Sequence, residues 1–330
     1  MGIIDVTKLS KSYRMPAPST RGGFWAATAR VFRRRFESTY IVKDLTFAIE
    51  AGESVGFIGP NGAGKSTTIK LLTGILTPSA GEVRVMGFVP HKERYRYTYH
   101  IGLVLAQKSL LWWNIPVIES LKLYRDIYEI PEKDFKERVE YFSDILGIAP
   151  LLGRATRTLS FGERMRIEIV ASLLHKPRII FLDEPTVALD IVARQQLKEF
   201  LRRVNREEGT TLFLTTHNTF DVEDLCDRVI ILNKGQIVYD GKISILREIE
   251  QYKIVSIDYA KILDTAVFSR IKQEYALSHQ NGQSIQLKVP NGHVPTLISK
   301  VTRCCALTNL NVQPPNLEFV IRRIYTDGRQ

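Results

Sequence analysis

Residues 54–76 read SVGFIGPNGAGKSTTIKLLTGIL, and this stretch decides the fold. Its first five residues have the character of a buried strand, and the residues from Lys65 onward have the spacing of a helix. Between them, Gly59, Gly64, Lys65 and Ser66 satisfy the pattern G-x-x-x-x-G-K-[ST]. In this pattern glycines let backbone N–H groups face phosphate oxygens, while the lysine and the hydroxyl serve the phosphates and Mg²⁺. The stretch therefore predicts a nucleotide-binding loop.

The sequence around this loop alternates short apolar runs with helical patterns up to about residue 242. Strands separated by helices predict an α/β fold with a parallel sheet covered by helices. In the run PRIIFLD at 177–183, residues 179–182 are continuously apolar before the final Asp, which is typical of a strand buried on both faces. The strand candidates include 54–58, 101–105, 178–182, 211–215 and 229–232.

Residues 243–330 have a different pattern and predict a small appended α+β domain. The segments KIVSIDYA and QSIQLKVP alternate as strands do, whereas AVFSRIKQEYAL and PTLISKVTRCCAL have helical spacing. The predicted order of elements in this domain is βαββα. The two domains are thus expected at 1–242 and 243–330.

The segment from Arg14 to Ser38, RMPAPSTRGGFWAATARVFRRRFES, interrupts the first domain. It begins with Pro, Ser and Gly, and it continues with aromatic residues among arginines. It is predicted to be an insertion between two edge strands. A basic amphipathic helix at a membrane surface and a solvated loop are both compatible with this composition.

Charge and composition restrict the class of protein without choosing one. The net charge is +11, which suits an anionic partner: nucleic acid, a phospholipid surface or a nucleotide. No run of apolar residues is long enough to span a bilayer, and the N-terminal residues lack the features of a signal peptide. The three cysteines have neither metal-site nor disulfide spacing, which predicts reduced thiols in a cytosolic protein.

The stretch IIFLDEPT at 179–186 predicts a metal and hydrolysis site. Asp183 ends a buried strand, where a carboxylate lies close to the Mg²⁺ of a P-loop NTPase. Glu184 follows directly, and a second carboxylate beside the γ-phosphate would orient or deprotonate the attacking water.

Taken together, these motifs resemble the nucleotide-binding subunit of an ATP-binding cassette (ABC) transporter. In the family's order, GPNGAGKST is the Walker A loop, Gln107 takes the Q-loop position, and LSFGE at 159–163 stands where the signature LSGGQ belongs. FLDEP is Walker B, ALD at 188–190 is the D-loop, and His217 in LTTHN is the switch histidine. The resemblance covers about 230 residues. It implies a P-loop NTPase cassette with a mixed or parallel sheet, a RecA-like core and a helical signature subdomain at about 108–172.

The resemblance also assigns site residues for ATP and Mg²⁺. Glu184 and His217 would be catalytic, and Mg²⁺ would be held by Ser66, Gln107 and Asp183. An aromatic ring near the N-terminus would stack on adenine; Tyr13 matches that position, and Tyr40 is its rival. The remaining ATP-binding residues are Gly59, Pro60, Asn61, Gly62, Ala63, Gly64, Lys65, Ser66, Thr67 and Gln107.

In the family two subunits pack head to tail, and each ATP lies between one Walker A loop and the partner's signature. The resemblance therefore implies that the signature acts on the opposite subunit of a homodimer or heterodimer, and that Asp190 crosses towards the partner's site. Phe161 replaces a signature Gly, Glu163 replaces the common Gln, and Ala188 replaces a Gly that often precedes the D-loop Leu. The signature residues are Ser160, Phe161, Gly162 and Glu163.

The resemblance further implies integral membrane permease subunits as partners. The chain would lie on the cytoplasmic face of the cell membrane, bound through the permease and in contact with the membrane surface. The loop form, the TxxLD sequence and the C-terminal extension resemble exporters with separate six-helix permeases. Trp112 and Trp113, within QKSLLWWNIPVIESLKLYRDIYEI, would either contact the permease or fill the core of the helical subdomain.

A soluble ABC-type ATPase acting on nucleic acid or ribosomes is the alternative. Ribosome-associated relatives carry two cassettes, and chromosome ATPases carry a long coiled coil; this chain has one cassette and no sustained heptad pattern. No nucleic-acid partner is therefore expected. A binding module without hydrolysis is disfavoured because both Glu184 and His217 are present.

Overall fold

The structure is a computed structural model that describes residues 2–16, 36–105, 108–187, 189–248 and 251–327. The chain forms two compact units, residues 1–241 and 242–330.

The elements of the first unit alternate between strands and helices for most of its length. Within the described residues its strands are β1 (Ile4–Pro16), β2 (Phe36–Ile49), β3 (Ser54–Ile58), β4 (Ala80–Val85), β5 (Ile101–Leu105), β6 (Ile179–Asp183), β7 (Thr211–Thr216), β8 (Arg228–Asn233) and β9 (Gln236–Lys242). Its helices are α1 (Lys65–Leu72), α2 (Arg94–Thr98), α3 (Val117–Ile127), α4 (Glu132–Leu146), α5 (Phe161–Leu173), α6 (Ile191–Glu208) and α7 (Thr219–Leu225). Two short 3₁₀ turns lie at Ala149–Leu151 and Thr156–Thr158.

Two sheets make up this unit. The larger has the order β5-β6-β7-β3-β8-β9, and the pairs β5–β6, β6–β7, β7–β3 and β3–β8 are parallel. The smaller is antiparallel, in the order β2-β1-β4. Strands β3, β6 and β7 are buried at every residue, as expected of strands covered on both faces. The predicted α/β fold with its parallel sheet is confirmed.

The strand register decides which loops meet. Ile58 pairs with Thr216, and Asp183 pairs with Thr215. The carboxyl ends of β3, β6 and β7 therefore lie side by side, and the segments that follow these strands share one edge of the sheet.

A cluster of phenylalanines connects the two sheets. The ring of Phe57 in β3 lies 6.0 Å from that of Phe47 in β2 and 5.1 Å from that of Phe213 in β7, measured between centroids. Phe181 in β6 continues the cluster at 5.7 Å from Phe213. Buried aromatic pairs at these distances add to the stability that burial of apolar area provides. The core thus lies directly beneath the edge where the loops meet.

The interrupting segment is described only at its ends. Arg14 pairs with Ser38, and Pro16 pairs with Phe36, so β1 and β2 continue into the segment from both sides. The proposed amphipathic helix or solvated loop concerns residues 17–35, which lie outside the described residues. Within the described part of the chain, no helix is both long and apolar enough to cross a bilayer.

The second unit has one antiparallel sheet in the order β11-β12-β10-β13. Its elements are α8 (Ile243–Glu248), β10 (Tyr252–Ile262), α9 (Thr265–Glu274), β11 (Ala276–Asn281), β12 (Ser284–Pro290), α10 (Val294–Cys304), β13 (Cys305–Gln313) and α11 (Leu317–Asp327). From β10 to β13 the order is βαββαβ, the ferredoxin-like arrangement.

The predicted order βαββα was wrong because it lacked β13. The prediction extended a helix to Leu307, whereas α10 ends at Cys304 and Cys305 has an extended backbone. Residues 305–313 pair with β10, and this long-range pairing outweighs the local helical spacing around the two cysteines. All three cysteines of the chain are buried free thiols.

Candidate nucleotide-binding site

A cavity of about 670 Å³ opens at the carboxyl edge of the large sheet. This volume lies within the range typical of small-molecule sites. The lining residues come from the glycine-rich loop and α1, from the end of β6, from the segment after β7 and from β2. They are Ile41, Asn61, Gly62, Gly64, Lys65, Ser66, Thr67, Lys70, Leu105, Lys108, Asp183, Glu184, Val187 and His217.

The loop needs glycine at two positions for different reasons. Gly62 has φ 79° with open space where a Cβ would lie, so only its backbone conformation favours glycine. Gly64 has φ 106°, and a Cβ there would lie 2.9 Å from the Ile41 carbonyl oxygen and 3.0 Å from Val42 Cγ2. Gly64 is also the N-cap of α1 and supplies no side-chain cap to the helix. The first turn of α1 therefore retains backbone N–H groups that can donate hydrogen bonds to an anion.

The amino group of Lys65 lies against the backbone of this loop. The side chain is buried, and Nζ donates hydrogen bonds to the carbonyl oxygens of Gly59 at 2.7 Å and Pro60 at 3.3 Å. Burial lowers the pKa of Lys65, and the nearby carboxylates of Glu184 and Asp183 act in the opposite direction. The loop carbonyls and these carboxylates thus stabilise a buried cation where phosphates are expected.

Asp183 accepts hydrogen bonds from two hydroxyl groups of neighbouring segments. Ser66 Oγ donates to Asp183 Oδ1 at 3.1 Å, and Thr215 Oγ1 donates to the same oxygen at 2.5 Å. These are hard oxygen donors of the kind that Mg²⁺ prefers. The 3.1 Å between Ser66 Oγ and Asp183 Oδ1 is close to the roughly 3 Å between adjacent oxygens of an octahedral Mg²⁺ with bonds of about 2.1 Å. The residues present therefore fit this ion, and Gln107 lies outside the described residues.

Glu184 has an unusual backbone for a residue with a side chain. Its φ is 55°, in the left-handed region, and its N–H donates to the Thr215 carbonyl at 3.0 Å. Such a conformation costs on the order of 1 kcal/mol and is common at functional sites. His217 Nδ1 lies 2.7 Å from Glu184 Oε2; the imidazole donates, since an ionised carboxylate only accepts. His217 thus orients the carboxylate that was predicted to be the base.

The two candidate tyrosines lie on neighbouring strands. Tyr13 in β1 pairs with Thr39, and Tyr40 in β2 pairs with Ser12. The pairing shifts between Lys11 and Ser12, where β2 has a bulge. Neither tyrosine is among the residues lining the cavity in the described chain, so the stacking of either ring on adenine stays a prediction.

The signature residues lie at the amino end of α5, and none of the four is among the residues that line this cavity in the described chain. Ser160 is exposed and caps the helix: its Oγ accepts from Glu163 N–H at 3.2 Å. In return, Glu163 Oε2 accepts from Ser160 N–H at 2.7 Å, completing a capping box. Arg154 Nη1 donates to the other Glu163 oxygen at 3.1 Å. Glu163, the departure from the usual Gln, is thus a structural part of the turn.

Phe161 takes part in an aromatic–cation contact. The Arg164 guanidinium lies 5.2 Å from the Phe161 ring centroid and 5.8 Å from the Trp113 ring centroid. Trp112 and Trp113 are 42% and 52% exposed, which contradicts the alternative that they fill the core of the helical subdomain; their contact with a permease stays a prediction. Their segment instead borders the signature, since Arg157 N–H donates to the Trp113 carbonyl at 3.0 Å.

The D-loop residue Asp190 is the N-cap of α6, where its Oδ1 accepts from Ala193 N–H at 2.8 Å. Ala188 lies outside the described residues. Sequence reasoning missed Ile41 and Thr215, which lie on the cavity wall and against Asp183. Thr215 carries a signal that could have been used: it is a polar residue at the carboxyl end of an otherwise apolar strand, at the edge where ligands bind.

Comparisons with known proteins identify the family of this chain. A family model described as "ABC transporter" matches residues 42–187. The linearmycin resistance ATP-binding protein LnrL of Bacillus subtilis (strain 168) is 31% identical over 301 residues, covering 88% of this chain and 95% of LnrL. The methionine import ATP-binding protein MetN 2 of Enterococcus faecalis (strain ATCC 700802 / V583) is 32% identical over 271 residues, covering 78% of this chain and 73% of MetN 2.

A solved structure has the same fold as the first unit. It is described as the dimeric structure of a post-hydrolysis state of the ATP-binding cassette MJ0796 bound to ADP and Pi. The TM-score is 0.62 at 23% identity, and the match covers 73% of this chain and 98% of the other.

Proposed function

The chain belongs to the ABC transporter family and is an ATPase subunit of that family, and from this premise we propose that two copies hydrolyse ATP between them to drive export through a separate membrane permease. The observation that carries the proposal is the meeting of Lys65, Asp183, Glu184 and His217 around one cavity. These side chains come from three motifs: Lys65 from Walker A, Asp183 and Glu184 from Walker B, and His217 from the switch segment.

Within one copy, the residues divide the work by their chemistry. Lys65 and the open amino end of α1 bind the phosphates. Ser66, Asp183 and Gln107 would hold Mg²⁺, which neutralises phosphate charge when bound. Glu184 accepts the proton of the attacking water, and His217 keeps the Glu184 carboxylate oriented through the 2.7 Å contact.

The second copy supplies the signature. Ser160 is exposed and lies away from the cavity residues of its own chain, at the amino end of a helix of 13 residues. A helix amino terminus favours a phosphate through its dipole and its N–H groups. A head-to-tail pair of identical chains would form two equivalent sites from one surface. A heterodimer with a related chain would have the same geometry.

Hydrolysis is tested with Glu184→Gln. Removing the base should lower the rate of Mg-ATP hydrolysis by about 10²- to 10³-fold, whereas ATP binding persists. ATP-bound dimers should therefore accumulate in size-exclusion chromatography with light scattering. Glu140→Gln, an exposed change on α4, is the matched control and should hydrolyse at the parental rate. A Glu184→Gln variant as fast as the parental chain would remove Glu184 as the base.

Permease docking is supported by an aromatic groove in the first unit. A cavity of about 190 Å³ is lined by residues including Arg94, Tyr124, Tyr128 and His175. Tyr128 stacks on His175 at 3.9 Å, and burial lowers the pKa of His175 to about 4, so this ring is neutral at physiological pH. The half-exposed tryptophan pair adds rigid aromatic surface of the kind enriched at interfaces.

The partner is tested by mild solubilisation of native membranes and identification of what co-purifies with the chain. An integral membrane protein is expected. Recovery of ribosomal proteins instead would favour the soluble ATPase.

The proposed direction of transport is export. It is supported by the similarity to LnrL, whose name denotes resistance and whose match extends over 88% of this chain. MetN 2 is named for import, and its match covers 78%. Substrate movement in inside-out vesicles containing the chain and its permease tests the direction. ATP-dependent accumulation in the vesicle lumen is expected, because the cytoplasmic face is then outside.

A further inference from the structure

One buried carboxylate, Asp221, contacts two elements of the candidate site. Thr186 Oγ1 donates a hydrogen bond to Asp221 Oδ2 at 2.5 Å. Lys198 Nζ lies 2.9 Å from Asp221 Oδ1, an ion pair without the directionality of a hydrogen bond. Asp221 is fully buried, and Thr186 and Lys198 are 3% and 5% exposed. The cluster is therefore shielded from solvent and from any ligand in the cavity.

Each member of the cluster belongs to a different catalytic segment. Thr186 follows Glu184 by two residues, in a turn closed by the hydrogen bond from Val187 N–H to the Glu184 carbonyl at 3.3 Å. Lys198 lies on α6, the helix that Asp190 begins. Asp221 lies on α7, four residues after His217. The contacts therefore join the segments of the predicted base, the D-loop and the switch histidine.

Stability alone does not account for this arrangement. Buried ion pairs can often be replaced by apolar residues of similar volume without loss of stability, because desolvation offsets the attraction. The hydrogen bond from Thr186 to Asp221 is directional, and it restricts how the two segments that it connects can sit. The Glu184 turn has a left-handed backbone residue, which persists only where its surroundings hold it.

We propose that Asp221 is a positioning residue for ATP hydrolysis, holding Thr186 and Lys198 so that Glu184, Asp190 and His217 keep their relative places. The inference rests on the proposed role of Glu184 as the base. Neither Asp221 nor Thr186 lines the nucleotide cavity among the described residues, so the cluster acts on the rate and leaves ATP affinity unchanged.

The test uses Thr186→Val and Thr186→Ser in the full-length chain. Valine keeps the shape of threonine and removes the hydroxyl, whereas serine keeps the hydroxyl and removes a methyl group. Thr186→Val should lower kcat by about 10- to 100-fold, because small displacements of a catalytic group are costly. KM and the Kd for ATP should stay within about twofold, and Thr186→Ser should retain most of the rate.

Asp224→Asn provides the matched control. Asp224 Oδ2 accepts a hydrogen bond from the same Lys198 Nζ at 2.8 Å, but this carboxylate is partly exposed and does not contact Thr186. Its replacement should change kcat by less than about twofold. The Thr186→Val and Asp221→Ala effects on kcat should also be non-additive in the double variant, since each change removes the Thr186–Asp221 hydrogen bond.

The outcomes separate this inference from the proposed function. Parental-rate hydrolysis by Thr186→Val, or a larger loss in Thr186→Ser than in Thr186→Val, would overturn the positioning role while leaving Glu184 as the base. A fall in the ATP affinity of Thr186→Val as large as its fall in kcat would also overturn the positioning role, because the cluster would then act on binding. A Glu184→Gln variant that hydrolyses at the parental rate would overturn both proposals together.

Discussion

The amino termini of α1 and α5 are both predicted to meet phosphate, yet they differ in how their N–H groups are satisfied. At α1 the N-cap is Gly64, which supplies no side-chain cap. At α5, Ser160 and Glu163 cap each other's backbone N–H groups. The first terminus is open to a ligand within its own chain, and the second is stabilised before any ligand arrives.

This difference suits the separate tasks proposed for the two turns. The α1 loop lies within the cavity, beside the cation of Lys65, and can bind nucleotide in the single chain. The α5 turn has to keep its shape while no partner is present, and the capping box with Arg154 maintains it. The carboxylate of Glu163, which stands where Gln is common, also adds negative charge close to where the partner's phosphate is proposed to lie.

The largest effect is expected from a change that disrupts the α5 turn alone. Ser160→Arg should weaken ATP-dependent dimerisation by at least about 100-fold, because a long side chain occupies the surface that the partner approaches and the serine cap is lost. ATP binding by the single chain should be unchanged, because α1 is untouched. Light scattering with ATP in the Glu184→Gln background measures the dimer, and nucleotide titration measures binding.

Asp264→Arg is the control for loss of a helix cap. Asp264 caps α9 in the second unit by accepting from Ala266 and Val267 N–H groups, both at 3.0 Å. This variant should lose comparable stability and still dimerise. Persistent ATP-dependent dimers in Ser160→Arg would contradict the proposed role of the signature in the partner's site.

A smaller effect distinguishes the glycines of the α1 loop. Gly62→Ala should cost about 1 kcal/mol in free energy of unfolding, because its positive φ is strained while its surroundings are open. Gly64→Ala should cost a further 1–3 kcal/mol or so, because the added Cβ would crowd the Ile41 carbonyl and Val42. Urea denaturation without nucleotide measures both values. Equal losses would show that the Gly64 contact relaxes freely.

The smallest effect concerns the charge at the α5 turn. The Ser160 backbone N–H, with help from the Ser160 hydroxyl and Arg154, lowers the pKa of Glu163 below its ordinary value of 4.5. A lowered pKa means that the ionised form stabilises the fold above pH 4.5, and this contribution is lost as pH falls through the folded-state pKa. Glu163→Gln should therefore cost about 0.3–1 kcal/mol at pH 7 and progressively less in acid.

Denaturation of the parental chain and of the Glu163→Gln variant across pH 3–7 measures the Glu163 effect. The control is Glu137→Gln, which removes an exposed pair with Lys133 at 3.9 Å and should cost little at any pH. A Glu163→Gln penalty that stays constant down to pH 3 would mean that the carboxylate does not stabilise the turn through its charge.

Local patterns in the sequence were enough for five strands of the large sheet, β3, β5, β6, β7 and β8, and for the nucleotide loop. Strand β3 coincides with the predicted 54–58 and β5 with 101–105, because short apolar runs bounded by turns identify buried strands. The glycine spacing before Lys65 identified the loop, since few other residue patterns allow a backbone to bind phosphate. The family resemblance came from the same short motifs and is confirmed by the comparisons.

Other features depended on residues far apart in the chain. The left-handed backbone of Glu184 has no signature in the sequence, and the Thr186–Asp221 hydrogen bond joins residues 35 positions apart. Strand β13 required its pairing with β10 to outweigh a local helical pattern.

The sequence by itself therefore determined which residues could bind nucleotide, because the residues with that chemistry occur in short, contiguous motifs. Only the tertiary structure decided how the catalytic segments are held together, because a buried hydrogen bond or ion pair exists only once the core brings its partners out of water.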